Sequence, residues 1–243
     1  QYEKDSIRGF QQAHQCSSWT NDYAVFSLMP VSGKLVVDQF GRAAKFSHRN
    51  EIAKPHYYKV LLDNGITTEI SPVERGAHLR FSFPKKKNAY VILDGYTGMS
   101  GVKIYPKEGK ITGYVHNGRG LKENFKNFFI IRFNKPIRDY GTWENTTNTT
   151  WQAESEREGK GVGAWVQFDS GVNVEVKVAS SYISPEQAEL NLKNELGNYS
   201  TLEETKQAAW KIWNDQLHQI FVEGGTEEEK ATFYSCYFRA NLF

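Results

Sequence analysis

Apolar and polar positions along the chain follow two rhythms. From about residue 24 to residue 182 the apolar residues come in short runs separated by turn signals. The runs at 24–31, 34–40, 57–62, 66–73, 78–83, 89–93, 110–116, 128–133, 163–168 and 172–179 each predict a strand. Some alternate, as in Ile66, Thr68 and Ile70 against Thr67, Glu69 and Ser71, and so predict one wet face. Others, 90–93 and 128–131, are continuously apolar and suit the inside of a sandwich. Asn64-Gly65 between two runs is a strong hairpin signal. With no helical pattern between the strands, antiparallel sheets are expected rather than βαβ units. The predicted fold is mainly β, a large antiparallel β-sandwich of the supersandwich kind. The polar stretch 138–160, with Trp143 and Trp151 as its large apolar residues, predicts a loop or a long excursion.

After Ser184 the period changes. Ser184-Pro185-Glu186-Gln187 predicts a capping box with proline at the first helical position, and Gly197 predicts the helix end. Thr201 to Glu204 predicts a second capping box. The apolar residues behind it, Leu202, Ala209, Ile212, Trp213 and Ile220, recur at helical spacing until Gly224-Gly225. Thr226 to Glu229 starts a third helix that is aromatic on several sides through Phe233, Tyr234, Tyr237, Phe238 and Phe243; such a helix is expected to be buried, and since these 243 residues supply little to cover it, it is expected to belong to a further domain. The expected division is therefore a sandwich over 1–183 and, over 184–243, linker helices and the start of a further helical domain.

Composition narrows the function classes. Hydrophobic residues at 39% and aromatic residues at 14% suffice for a sizeable core. A net charge of +2 gives no electrostatic footprint for nucleic acid. Lys85-Lys86-Lys87 is too short a basic run to change that and predicts a solvated turn. No apolar run reaches the roughly 20 residues of a membrane span. Cys16 and Cys236 are too few for a disulfide framework, so two unpaired thiols are expected, with Cys236 buried on a helix. Asn145, Asn148 and Asn198 each open a formal glycosylation tripeptide, informative only in a eukaryotic source.

The chemistry concentrates in residues 9–33, GFQQAHQCSSWTNDYAVFSLMPVSG. His14, Gln15, Trp19, Asp22 and Tyr23 precede an apolar run. A polar, aromatic-bearing segment feeding a strand makes poor core. It suits sugars, which need an aromatic face for the C–H side of the ring and amide, imidazole or carboxylate groups for the hydroxyls. The competing structural reading buries Trp19 and lets Asp22 cap a turn; Asp22 and Tyr23 fit it better than Trp19 does.

The pattern G-F-x-x-x-H-Q-x-x-x-W-x-x-D-Y, then L-M-P-x-x-G, resembles the amino-terminal domain of the glycoside hydrolase family 92 alpha-mannosidases. Four later stretches agree in order: FSHRNEIAKPHYYKVLLD, ERGAHLRFSFP, VKVASSYIS and VEGGTEEEKATFYSCYFR. The resemblance implies a sandwich joined by linker helices to a helical toroid that carries the catalytic carboxyl pair, so the toroid is an expected partner. It also implies alpha-mannoside glycans as substrates, a calcium ion whose ligands lie mainly in the toroid, and a periplasmic or extracellular location. No catalytic residue and no metal ligand is assigned to this chain. The expected substrate-binding residues are Trp19, His14, Gln15 and Asp22. Ala13, Cys16 and Ser18 depart from the commoner T-H-Q-P-S-P-W form and leave this loop less constrained. A stand-alone, non-catalytic carbohydrate-binding sandwich is the alternative.

Overall fold

The computed structural model describes residues 6–13, 25–116 and 121–242. The first strands are β1 (Ser6–Ile7), β2 (Ser27–Ser32), β3 (Ala44–Lys54), β4 (Tyr57–Leu62) and β5 (Thr67–Val73). They are followed by β6 (Gly76–Ser82), β7 (Ala89–Asp94), β8 (Met99–Tyr105), β9 (Lys110–His116) and β10 (Asn127–Phe133). The last are β11 (Asp139–Glu144), β12 (Thr149–Gln152), β13 (Glu156–Lys160), β14 (Val162–Phe168) and β15 (Asn173–Ser181). Three helices close the chain: α1 (Pro185–Leu196), α2 (Leu202–Leu217) and α3 (Glu227–Ala240).

The strands form two antiparallel sheets. The larger has ten strands in the order β1-β3-β4-β5-β6-β15-β10-β9-β8-β13, and the smaller five in the order β12-β11-β14-β7-β2. The core lies between them. Phe81, Phe129, Ile131 and Val176 from the large sheet and Met29, Val91, Leu93 and Val166 from the small one belong to one buried cluster. β7 is buried along its whole length, as its continuously apolar sequence requires. The β4–β5 hairpin turns at Asn64-Gly65 with Gly65 at φ +87°, a conformation that costs a residue with a Cβ far more.

Two expectations are corrected, and one strand was not anticipated. Residues 34–40 are not a strand. Arg42 N–H bonds Asp38 O at 2.9 Å and its guanidinium bonds Val37 O at 2.6 Å, so the segment closes into a turn that buries Val37 as loop. The stretch 138–160 is not a loop but supplies β11, β12 and β13, and Trp143 is fully buried with its indole N–H donating to Leu93 O at 2.9 Å. The polar run 44–54 forms β3, which the sequence did not predict as a strand.

The helix starts follow their caps. Thr201 and Thr226 form complete capping boxes with Glu204 and Glu229. At α1 only half of the expected box forms. Ser184 accepts from Gln187 N, while the Gln187 amide reaches forward to Asn191 Oδ1 at 2.9 Å. Within this chain α3 has no buried residue. Its aromatic residues are half-buried, with Phe238 edge-on to Trp213 of α2 at 4.7 Å. Cys236 is exposed rather than buried.

Candidate functional site

The described ends of the segment singled out in the sequence meet at one place. Phe10 and Leu28 exchange backbone hydrogen bonds of 2.8 and 2.9 Å, pinning the amino-terminal arm against β2. Gly9 makes this approach possible, because a Cβ there would lie 2.5 Å from Ser27 Oγ. Phe10 then packs near the rings of Tyr58 and Phe81, at 6.4 and 6.5 Å. The Gly-Phe pair is thus an anchor.

Beside this anchor the sandwich opens into a cavity of about 670 Å³. Phe10, Gln11, Gln12 and Ala13 line it from the arm, Phe26 and Leu28 from the β2 side, and Ile70, Leu79 and Val178 from the inner face of the large sheet. Its floor is apolar, and its polar groups come from Gln11, Gln12 and Glu74. That volume is within the roughly 300–1,000 Å³ typical of small-molecule sites.

A buried ion pair braces the arm. Arg42 and Asp94, both side chains inaccessible to solvent, form a charge-assisted hydrogen bond. Arg42 also donates to Arg8 O at 3.1 Å and to Val37 O. Asp94 accepts from Tyr96 N–H at 2.7 Å and from Asn145 Nδ2 at 3.3 Å. A buried pair is tolerable only when its remaining hydrogen-bonding capacity is met in this way. The bond from Asp94 holds Tyr96 in a left-handed conformation, φ 57°. Burial, reinforced by the Asp94 charge, raises the Tyr96 phenol, so it remains a donor. It donates to Gln11 Oε1 at 2.6 Å.

A second polar cluster lies on the outer face of the large sheet, beneath α2. Glu69 accepts from Tyr57 Oη and, at 2.8 Å, from Arg80 Nε. Arg80 also reaches Glu203 at 2.6 Å. His78, on β6, is fully buried here, with Nδ1 2.8 Å from Thr205 Oγ1 and Nε2 3.5 Å from Glu175 Oε2. Burial, and then the charges of Lys177 and Arg80, push its imidazole down to about 4. The cluster serves as the seat of a helix. His48 and Glu51 bond each other at 2.7 Å on β3.

The four expected substrate-binding residues, His14, Gln15, Trp19 and Asp22, lie outside the described residues. Gln11, Gln12, Tyr96 and Ser180 were not singled out by the sequence. Asp94, a charged residue ending an otherwise apolar run, was the available signal for the brace. Among the described residues no group of three or more His, Cys, Asp or Glu side chains could hold a metal ion. No helix among them is long and apolar enough to cross a membrane.

Comparison with known proteins places this sandwich and its helices among the glycoside hydrolases. The profile of the glycosyl hydrolase family 92 N-terminal domain matches residues 1–181, and that of the family 92 catalytic domain matches residues 187–243. The chain belongs to glycosyl hydrolase family 92. The structure of the family GH92 inverting mannosidase BT2199 from Bacteroides thetaiotaomicron is 37% identical, with a TM-score of 0.93 over the whole of this chain and 33% of that one. The GH92 alpha-mannosidase BT3965 from the same organism shares the fold at 22% identity, with a TM-score of 0.83 over 98% of this chain and 34% of that one. An uncharacterized secreted glycosidase of Arthroderma benhamiae is 23% identical over 99% of this chain and 36% of its own length. The chain thus spans about a third of the length of the relatives it matches.

Proposed function

We propose that this chain is the substrate-pocket-completing, amino-terminal part of a calcium-dependent, inverting exo-alpha-mannosidase that acts on glycans in the periplasm or outside the cell. The observation that carries this reading is the match to an inverting mannosidase along the whole chain at 37% identity. On this reading, residues 1–183 are the sandwich and residues 184–243 lead into a helical catalytic domain. That domain holds the carboxyl pair and the calcium ligands. Inversion calls for direct attack by a base-activated water, with the two carboxyl groups about 6.5–9.5 Å apart. The sandwich contributes substrate contacts, with Trp19 as a stacking ring and His14, Gln15 and Asp22 as hydrogen-bonding groups.

The test compares this chain with the full-length enzyme on a panel of alpha-mannobioses, with and without a calcium chelator. Chelator-sensitive release of mannose by the full-length enzyme, none by the chain alone, and a weakened Trp19→Ala enzyme are the expected results. Turnover by the chain alone would place a carboxyl pair within the sandwich and overturn the division of labour. Sugar binding by an enzyme without hydrolysis would favour the stand-alone binding module.

A further inference from the structure

Gln11 and Gln12 carry an inference that rests on the pocket-completing role and specifies it. The two residues are adjacent, yet their side chains are held from opposite sheets. Tyr96 Oη, in the turn after β7 of the small sheet, donates to Gln11 Oε1 at 2.6 Å. Ser180 Oγ, on β15 of the large sheet, donates to Gln12 Oε1 at 2.7 Å. An amide group is planar, so fixing its oxygen also fixes the direction of its NH₂. Neither NH₂ group makes a hydrogen bond among the described residues. Both residues line the cavity, whose floor beside them is built from Phe10, Leu28, Ile70 and Leu79.

We propose that Gln11 and Gln12 form a hydroxyl-binding subsite for a glycan sugar beyond the one released, with Tyr96 and Ser180 as the positioning residues that aim the two amides. The chemistry selects this ligand class. Neutral NH₂ donors bind hydroxyl oxygens, and an apolar floor takes the C–H face of a pyranose. No lysine or arginine is among the described residues that line the cavity, which disfavours a phosphate or another anion. A wholly apolar ligand would leave two amides desolvated and unpaired, a costly outcome.

The alternative is that the glutamines only clamp the arm across the two sheets. A Gln11→Glu/Gln12→Glu double variant separates the two roles, because it keeps the acceptor oxygens for Tyr96 and Ser180 and removes both NH₂ donors. In the full-length enzyme, KM for alpha-mannobioses and longer alpha-mannosides should rise about tenfold with kcat nearly unchanged. Kinetics on an aryl alpha-mannoside, which has no second sugar, and the melting temperature should stay at wild-type values. Tyr96→Phe, which releases only Gln11, should raise the same KM about threefold. Unchanged KM for the oligosaccharides in an otherwise active enzyme overturns the subsite. So does an equal loss on both substrate types together with a lower melting temperature. A wild-type enzyme that releases no mannose from any of these substrates instead overturns the proposed function itself.

Discussion

Helices α1 and α2 sit side by side in sequence on the outer face of the same sheet, but on opposite kinds of surface. α1 places Ala188, Leu192 and Leu196 against Ile130 and Ala179, an apolar seat. α2 is laid over Glu69, His78, Arg80 and Glu175, and it buries Leu202, Thr205 and Ala209. Its first residue, Leu202, donates its N–H to Glu175 Oε1 at 3.3 Å, so a carboxylate from the sheet meets the positive end of the helix. The first seat works mainly by excluding water, with the ion pairs Arg75–Glu195 and Arg132–Glu189 at its rim. The second depends on directed bonds and on one buried imidazole remaining neutral, so it fixes orientation but is conditional.

The largest effect should come from the apolar seat. Leu196 is fully buried, and Leu196→Ala should cost about 2–5 kcal/mol of unfolding free energy through lost burial and the cavity left behind. Urea denaturation would measure it. The loss should be the same at pH 7.5 and pH 5, and a strong pH dependence would erase the contrast between the two seats.

Next comes His78. Its imidazole titrates near 6.5 in an unfolded chain and is pushed down to about 4 by burial, then by Lys177 and Arg80. Between those values the unfolded state binds more protons, so the stability present above pH 6.5 is lost as pH falls towards 4. The groups facing the ring are Glu175 and Lys177 from β15, Arg80 from β6, and Glu203, Glu204 and Thr205 from α2. The full loss is roughly 3 kcal/mol at about 1.4 kcal/mol per pH unit. His78→Gln should flatten that slope, and parallel stability–pH curves for the variant and wild type would remove the imidazole from the account.

Arg80 tests the charged part of the same seat at somewhat smaller cost. Burial works to raise the Glu69 carboxyl, but hydrogen bonds from Arg80 and Tyr57 hold it below its usual value. Arg80→Met leaves Glu69 and Glu203 without their guanidinium, for a loss of roughly 2 kcal/mol at neutral pH given partial exposure. Because the Glu69 value is depressed, the Arg80 contribution is present above the unfolded carboxylate range and fades as pH falls through the folded one. The penalty should therefore shrink below about pH 4.5, in the same direction as the His78 effect but in a lower pH window. A penalty that grew on acidification would contradict this ion-pair assignment.

These two seats also mark where the sequence was legible. Residues 57–62 and 110–116 form strands with the predicted bounds, because local apolar patterning and turn chemistry agree there. Strands β12 and β13 escaped notice because an outer strand is specified by its partner's backbone more than by its own side chains. Residues 149–152 have no apolar alternation, yet they pair with β11 in register. Leu35 and Val37 misled in the other direction, since apolar residues can bury themselves from a turn. The seat of α2 was hidden because His78 meets Thr205 across 127 residues of chain. The cavity follows the same logic. Phe10 and Leu28 belong to the stretch that drew attention, whereas Tyr96 and Ser180 are brought to it only by the fold.

The smallest effects concern the helix caps, and they compare α2 with α3. Both helices start on a complete Thr–Glu capping box, so the local chemistry is matched. Their surroundings are not. α2 is tied to the sheet, while α3 has no buried residue; Ile212 on α2 is 68% exposed and Phe221 in the connection between the two helices is 72% exposed. Removing either cap should cost about 1 kcal/mol of helix stability. For Thr201→Ala that loss should appear in global unfolding, because opening the first turn of α2 also breaks the Leu202–Glu175 bond and uncovers His78. For Thr226→Ala it should appear only as faster amide hydrogen exchange within α3, with the global transition unmoved. Equal shifts of the global transition would mean that α3 is as firmly seated as α2, and that the conditional surface extends to the end of the described chain.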